Sequence, residues 1–487
     1  MPRFNAATAS ARPDAVNHAG GLAYAQDAKV ALAALLLTSF LTDQYYRDAR
    51  STLHELVRLI HAVDPLYAAK AAVFARTRFG MRSVTHVVAG ETASRVKGEQ
   101  WPKRFYEAVV ERPDDVTEIL AYYEAAYGLH PLPNSLKKGL ARALRGFDDY
   151  ELAKYRAGKR SISLVDAVNL CHPQATPSLT RLMNGTLTPA DTWEVALTRA
   201  GQAARRDSHR AALKRRAWRR LLREHKLGYF ALLRNLRNII ATCDEECLAL
   251  AARGLEDRGA LRASRVFPIR IHTALVHLQP IAPSVIVHAL EEALELAFEN
   301  VPVLDGRTLV AVDASGSMAA GSMAEGGAVP PIDKAILFAA GIVKRSHSDV
   351  MLFSNDAEFV EVDPADSIAT MSAWLRAHVT ACGTNFNAIF ERAHRVYDRI
   401  VILSDMQAWI EDEHGRSVPT SALARYRRRS EADPHIYAID LCGYGTSQLP
   451  AGKVYQLAGF SEKLFDVMPA LEQDRGALVH AIEGVQL

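Results

Sequence analysis

The sequence holds only five cysteines in 487 residues, at 171, 243, 247, 382 and 442, with no paired spacing. An odd, scattered set suits a reducing compartment and excludes a small disulfide scaffold. No apolar run reaches the roughly 18 residues that a membrane helix needs; residues 30–41 (VALAALLLTSFL) are too few and are flanked by charge. The opening MPRFNAATASARPDA has no apolar signal core. A soluble, folded, cytoplasmic protein is expected. The common hydrolytic signatures are also missing: there is no GxSxG, HExxH, Walker A or paired CxxC. Cys243-Asp-Glu-Glu-Cys247 has helical i, i+4 spacing but no nearby histidine pair, so it reads as core or surface cysteine rather than a metal clip.

Charge is present but unevenly spread. The formal net charge of +3 divides into 16 Lys+Arg against 24 Asp+Glu in residues 301–487, and 42 against 31 in residues 1–300. A basic N-terminal part joined to an acidic C-terminal one points towards a nucleic-acid partner, or else to two ordinary domains of different isoelectric point. At 53.5 kDa the chain has room for two domains or more.

Residues 20–300 read as helix after helix. Stretches such as 51–63 (STLHELVRLIHAV) and 286–299 (IVHALEEALELAFE) repeat apolar residues at i, i+3, i+4 and i+7. Proline marks many junctions, as at Pro65, Pro113, Pro131, Pro173 and Pro177. Short antiparallel helix pairs over about 280 residues suit a degenerate helical-repeat array, HEAT-like, better than one bundle. Near Gly306 the pattern changes. Short β-branched runs at 308–313 (TLVAVD), 349–354 (DVMLFS), 399–405 (RIVILSD) and 435–441 (HIYAIDL) alternate with amphipathic segments at 333–346, 367–378, 385–397 and 421–431. Buried strands alternating with helices predict a doubly wound parallel α/β sheet, which binds ligands at the carboxyl ends of its strands. The expected division is therefore a helical-repeat domain over 1–300 and an α/β domain over 301–487.

Asp313-Ala-Ser315-Gly-Ser317 stands at such a strand end, Gly383-Thr384-Asn385 opens a helix, and Asp405 ends another strand. One or two carboxylates with several hydroxyls make an all-oxygen, low-charge site suited to octahedral Mg²⁺ that keeps its waters. Ser315 and Ser317 would ligate directly, and Asp313, Asp405 and Thr384 directly or through water.

The D-x-S-x-S, T, D series resembles the metal-ion-dependent adhesion site of von Willebrand factor A domains. Upstream, residues 228–238 (GYFALLRNLRN) resemble the ALLRNL segment of the TROVE module, and Pro268-Ile269-Arg270-Ile271-His272 a similar run before its A domain. Lys154-Tyr155-Arg156 followed by Leu170-Cys171-His172-Pro173 resembles the family's basic helix and LSH-L-K-P stretch, and residues 456–462 (QLAGFSE) its final CGF segment. From about residue 20 the chain resembles a bacterial or phage member of the Ro ribonucleoprotein family. The resemblance implies a ring of helical repeats beside a von Willebrand A domain. It implies small Y RNAs bound on the outer surface, single-stranded 3′ ends of misfolded RNA held in the hole, and polynucleotide phosphorylase or another exoribonuclease tethered through RNA. A monomer is expected, since a ring closed within one chain needs no second subunit. After Asp405 the chain reads Met-Gln-Ala-Trp where vertebrate relatives have Asn-Glu-Thr-Phe, and residues 319–331 form a Gly-rich loop beside the metal motif. A partner recognised there would differ accordingly.

Residues 201–240 hold 12 Lys+Arg and two acids. Arg205, Arg206, Arg210, Lys214, Arg215, Arg216, Arg219, Arg220, Arg223 and Lys226 crowd one helix around an apolar stripe of Leu213, Trp218, Leu221 and Leu222. Phosphate binding relieves such self-repulsion by counterion release. A second cluster holds Lys137, Lys138, Arg142, Arg145, Lys154, Arg156, Lys159 and Arg160. The resemblance places the Y-RNA patch here, together with His172, which otherwise caps a turn before Pro173. A third group, Arg76, Arg78 and Arg82 around Phe79, reads either as a clasp for unpaired bases or as a core phenylalanine with surface arginines. The leading expectation is an RNA-binding scaffold, not an enzyme. The alternatives are a Mg²⁺-dependent adhesion or assembly module for an acidic protein ligand and, behind it, a metal-dependent ribonuclease, for which two carboxylates are few.

Overall fold

The structure, a computed structural model, describes residues 15–487 apart from 18–19, 26, 40, 42–47, 129–130, 157–160, 205, 265, 300–302, 321–328, 409–419, 445, 450–452, 459–467, 469–471 and 473–475. The chain divides into two compact units. One holds Met1–Leu53 with Phe298–Ala481, the other His54–Ala297 with Ile482–Leu487. The expected division at 300 thus needs one correction: the described residues up to Leu53 group with the α/β part, not with the helices that follow them.

The helical unit runs through helices of about 7 to 17 residues, from Pro65–Phe79 to Ser284–Phe298. Of the five junction prolines, Pro131 and Pro173 lie between helices and the other three open one. Pro65, Pro113 and Pro177 each occupy a first turn, whose N–H groups have no intrahelical acceptor. Asp64 and Thr176 cap two of these starts through bonds from Tyr67 N (3.0 Å) and Leu179 N (3.2 Å). The unit is also tied by buried charge. Fully buried Asp115 accepts bonds from Arg76 (2.8 Å) and Arg82 (2.6 Å) and meets His86 Nε2 at 3.0 Å. Buried Glu91 accepts from Tyr122 (2.6 Å) and Tyr127 (2.7 Å). Arg76 and Arg82 are therefore internal ties rather than a clasp for bases, and Phe79 is core, 2% exposed.

The other unit is built on a six-stranded sheet in the order Ala357–Val360, Ser348–Phe353, Thr308–Asp313, Arg399–Ser404, His435–Asp440, Val454–Ala458. Its strands are β3 (Thr308–Asp313), β4 (Ser348–Phe353), β5 (Ala357–Val360), β6 (Arg399–Ser404), β7 (His435–Asp440) and β9 (Val454–Ala458). All neighbours are parallel except β4 and β5. Every residue of β3 and β6 is buried, as continuous apolar runs require. Helices Pro331–Arg345, Ile368–Ala377, Phe386–Arg392 and Thr420–Ser430 fall in the predicted connections. The third stops five residues before the predicted end. At the chain's start, β1 (Ala15–Val16) pairs with β2 (Leu22–Ala25), and β2 pairs with β8 (Thr446–Ser447). The apolar run at 30–41 forms a buried helix, Ala28–Thr38, packed against β9. Gly443, at φ +70°, lies so close to Thr38 that a side chain there would collide with it. Among the described residues no helix is long and apolar enough to cross a membrane.

Candidate functional site

Parallel pairing brings the metal-motif residues together. β3 ends at Asp313, and β6 ends beside it at Ser404, so Asp405 follows at the same edge. Asp313 accepts bonds from Ser404 Oγ (2.5 Å) and Ser315 N (2.9 Å). Ser315 Oγ and Ser317 Oγ lie 3.2 Å apart, and the Ser317 hydroxyl bonds the Asp405 carboxyl. Thr384 arrives from a loop docked on the first one: Gly316 N donates to Cys382 O (2.8 Å), and Ser315 forms a parallel bridge with Cys382. Asn355 Oδ1 holds Gly383 N at 2.8 Å. Asp313, Ser315, Ser317, Thr384 and Asp405 are all 5% exposed or less.

Two buried carboxylates thus stand together, and among the described residues no Lys, Arg or His pairs with either. Burial pushes the Asp313 carboxyl up to about 6. Asp405 is raised well above the usual range by burial first, then by the charge of Asp313, and further by Asp440. A cation would relieve all of this at once. Among the described residues no group of three or more His, Cys, Asp or Glu is arranged to hold a metal. The donor set here is therefore carboxylates completed by hydroxyls, which fits a hard cation.

Several supporting residues escaped the sequence reading. Met406, next to Asp405, sits at φ +58°, a strained conformation for a residue with a side chain. It is fixed by Met406 N donating to Ser404 Oγ (2.9 Å) and by Gln448 Nε2 donating to Met406 O (2.9 Å). Asn17 Nδ2 donates to Ala408 O at 2.6 Å from far outside the α/β part of the sequence. Asp440 accepts from Cys442 N (2.9 Å) and Gly443 N (2.6 Å). Its one signal was a third acid ending an apolar strand run. The Gly-rich loop and Trp409 fall largely or wholly outside the described residues.

The predicted RNA residues divide into three kinds. Lys159, Arg160 and Arg205 lie outside the described residues. Lys138, Arg145, Lys154 and Arg156 are exposed and have no carboxylate partner among the described residues. They come from helices Asn134–Leu144 and Asp149–Arg156 and the turn between them. Lys137 is half-buried, and Arg142 is exposed but paired with Glu107 at 3.0 Å. Lys154 Nζ stands 5.4 Å from the Tyr155 ring and 5.9 Å from that of Tyr150, itself 46% exposed. His172 is exposed and ends helix Leu164–Cys171 at φ +50°, the turn-capping role weighed for it.

The basic helix, Asp207–Arg223, buries Trp218, Leu221 and Leu222 as expected, with Trp218 stacked on Trp193 at 6.2 Å. Its charge is half compensated. Arg219 pairs with Asp244 and, at 3.5 Å, with Glu246; Arg223 pairs with Glu246, and Arg220 with Asp191 at 3.3 Å. Just beyond the helix, Lys226 pairs with Asp191 at 2.9 Å. Arg219 holds the Asp244 carboxyl below its usual range. Arg215 donates to Thr242 O at 3.0 Å. Arg206, just before the helix, and Lys214 and Arg216 near its middle have no carboxylate partner among the described residues, and Arg210 and Lys214 line one open groove.

The family model of the TROVE domain matches residues 25–200 and 186–280, and that of the Ro60 vWA domain matches 307–471. The telomerase protein component 1 of Rattus norvegicus is 29% identical over 143 residues, 28% of this chain and 5% of that protein. The RNA-binding protein RO60 of Deinococcus radiodurans is 28% identical over 239 residues, 44% of this chain and 43% of that protein. The chain thus aligns with less than half the length of either relative. The crystal structure of the Deinococcus radiodurans RO (RSR) protein superposes with a TM-score of 0.59, covering 92% of this chain and 100% of that one at 20% identity. At that identity the likeness is one of fold.

Proposed function

Because this chain belongs to the Ro family of TROVE-domain RNA-binding proteins, we propose that it is the protein scaffold of a small ribonucleoprotein. It binds a Y-like structured RNA through the Lys138–Arg145–Lys154–Arg156 patch and the N-terminal half of the Asp207–Arg223 helix. It also receives single-stranded 3′ ends of misfolded RNA for quality control or decay. The observation that carries the reading is this set of cations, which have no carboxylate partner among the described residues, while Arg112, Arg142, Arg181, Arg219, Arg220 and Arg223 of the same unit are paired. A solvated basic face needs acids to offset it; an unpaired one is neutralised by phosphates, with release of counterions. Structured RNA offers phosphates and 2′-hydroxyls in a shallow groove, so such a patch reads mainly shape. Selection of a free 3′ end is steric and electrostatic, and needs no catalysis. An exoribonuclease such as polynucleotide phosphorylase would be brought in through the RNA. Cytoplasmic residence and a monomeric state are part of the proposal.

The second reading concerns the other unit, and the unneutralised pair Asp313 and Asp405 favours it. Asp313, Ser315, Ser317, Thr384 and Asp405 would hold a divalent cation, best Mg²⁺. When bound, that ion would supply an open coordination position for a carboxylate of a protein ligand. This makes the α/β unit an assembly module attached to the RNA-binding unit; metal-dependent cleavage of RNA is not expected.

The test is purification from the native host at low salt, sequencing of the small RNA that comes with the protein, and assay of that RNA for cleavage with and without Mg²⁺. One abundant stem-loop RNA, uncleaved, supports the scaffold. No RNA, or random fragments released by modest salt, overturns it and leaves the assembly module. Cleavage that chelation abolishes points to the ribonuclease.

A further inference from the structure

The sheet also has a built feature at the end opposite Asp313. There β4 begins before its pairing with β5 does. Val350 pairs with Val360, but Ser348 and Asp349 pair only with β3. Their other side borders a groove of about 890 Å³, lined among others by Phe359, Glu361, Asp363, Trp374 and His394. Trp374 is 52% exposed, yet its orientation is fixed. Its indole N–H donates to Glu361 O at 3.0 Å, and its ring lies 4.5 Å from that of His378. On the other wall Phe359 meets His394 edge-on at 4.7 Å.

The groove's charge is one-sided. Arg395 and Arg307 are engaged by Asp349, at 2.8 and 3.5 Å. Lys344 donates to the backbone carbonyl of Asp366 at 2.8 Å. Glu361 and Asp363, which line the groove, have no cationic partner among the described residues. Unpaired carboxylates repel RNA, and no group of acids here is arranged to hold a metal among the described residues. A fixed, exposed indole beside free carboxylates is instead the chemistry that receives a guanidinium or ammonium group. An unpaired strand edge is the chemistry that receives an extended backbone.

We propose that this groove seats an extended, Arg- or Lys-bearing segment of a partner protein. Its backbone runs beside Ser348 and Asp349, and one cation is held between the Trp374 indole and the carboxylates of Glu361 and Asp363. The surface is separate from both the metal motif and the basic patches, so it stands or falls independently of the RNA reading. The probe is an acetylated, amidated Val-Arg-Val-Arg-Val peptide, titrated by calorimetry and tryptophan fluorescence into the full chain freed of nucleic acid. The expected result is saturable one-to-one binding, at least tenfold weaker with Trp374→Ala and with Glu361→Lys. The milder Glu361→Gln keeps the groove's shape and gives an intermediate loss, which guards against a folding defect. Replacing Arg by Glu in the peptide abolishes binding. Equal affinity for the Arg and Glu peptides, or unchanged affinity in Trp374→Ala and Glu361→Lys, overturns the proposal.

Discussion

If Lys154 and Arg156 contact phosphates, their removal must change how RNA affinity responds to salt. Neither has a carboxylate partner among the described residues, and Lys154 loses only aromatic contacts, worth about 0.5–1 kcal/mol at an exposed site. Lys154→Gln with Arg156→Gln should therefore leave the thermal midpoint nearly unchanged. On a duplex, each neutralised phosphate adds about −0.9 to the slope of log K against log salt. Losing two contacts makes the slope shallower by about 1.8. Between 50 and 200 mM salt the intact protein should then lose about tenfold more affinity than the variant. Filter binding or fluorescence anisotropy over that range, with one structured RNA, measures this directly. Arg219→Gln is the internal comparison. It removes one formal charge where the double variant removes two, but Arg219 is already engaged by Asp244 and Glu246, so the slope should move by less than about 0.5 rather than by about 0.9. Parallel slopes for the double variant and the intact protein would refute a local contact. An equal change per charge removed in Arg219→Gln would show that only net charge matters.

Three further outcomes follow from the same geometry. Without a divalent ion, Asp313 binds its proton more tightly folded than unfolded, so it costs stability as pH rises from about 4 to about 6. The rise in thermal midpoint on adding Mg²⁺ should accordingly be larger at pH 7.5 than at pH 5, and lost in Asp313→Asn. Asn17→Ala removes the buried bond to Ala408 O and should weaken divalent binding, read by calorimetry, while destabilising the fold by about 1–3 kcal/mol. Asp115→Asn removes the buried charge shared by Arg76, Arg82 and His86, leaving Arg82 with Asp114 and Arg76 with Glu111 at 3.6 Å, and should cost about 3 kcal/mol in denaturant melts. Because His86 and the two guanidinium groups hold the Asp115 carboxyl far below its ordinary range, its contribution is complete above about pH 4 and fades only in strong acid.

The clustering of Asp313, Ser315, Ser317 and Asp405 at one sheet edge and the central strands were legible because their signals are local. An unbroken β-branched run ending in Asp or Ser-Asp states both the buried strand and the edge at which it stops. What pairs across long stretches was not legible. The acids that compensate Arg219, Arg220 and Arg223 are Asp191, Asp244 and Glu246, all outside the window whose charge was counted. Arg76 and Arg82 looked available because Asp115 lies 39 and 33 residues away in sequence. The strand β5 carries two acids just past its end and only four residues, too short a pattern to read. The support that Asn17 and Gln448 give to the Asp405 loop is a matter of backbone carbonyls, which leave no trace in side-chain spacing.

The pairing of β2 with β8 has a consequence in time. The two strands are separated by some 420 residues, so at about 5–20 residues per second a ribosome needs roughly 20–80 s to deliver the second after the first. Throughout that interval the apolar helix Ala28–Thr38 has been made but its seat on β9 has not. The intervening helical unit can fold on its own schedule, while the first segment remains a greasy loose end. The chain's vulnerable period during synthesis is therefore set by the α/β unit, and chaperone binding to nascent chains should concentrate on residues 28–38.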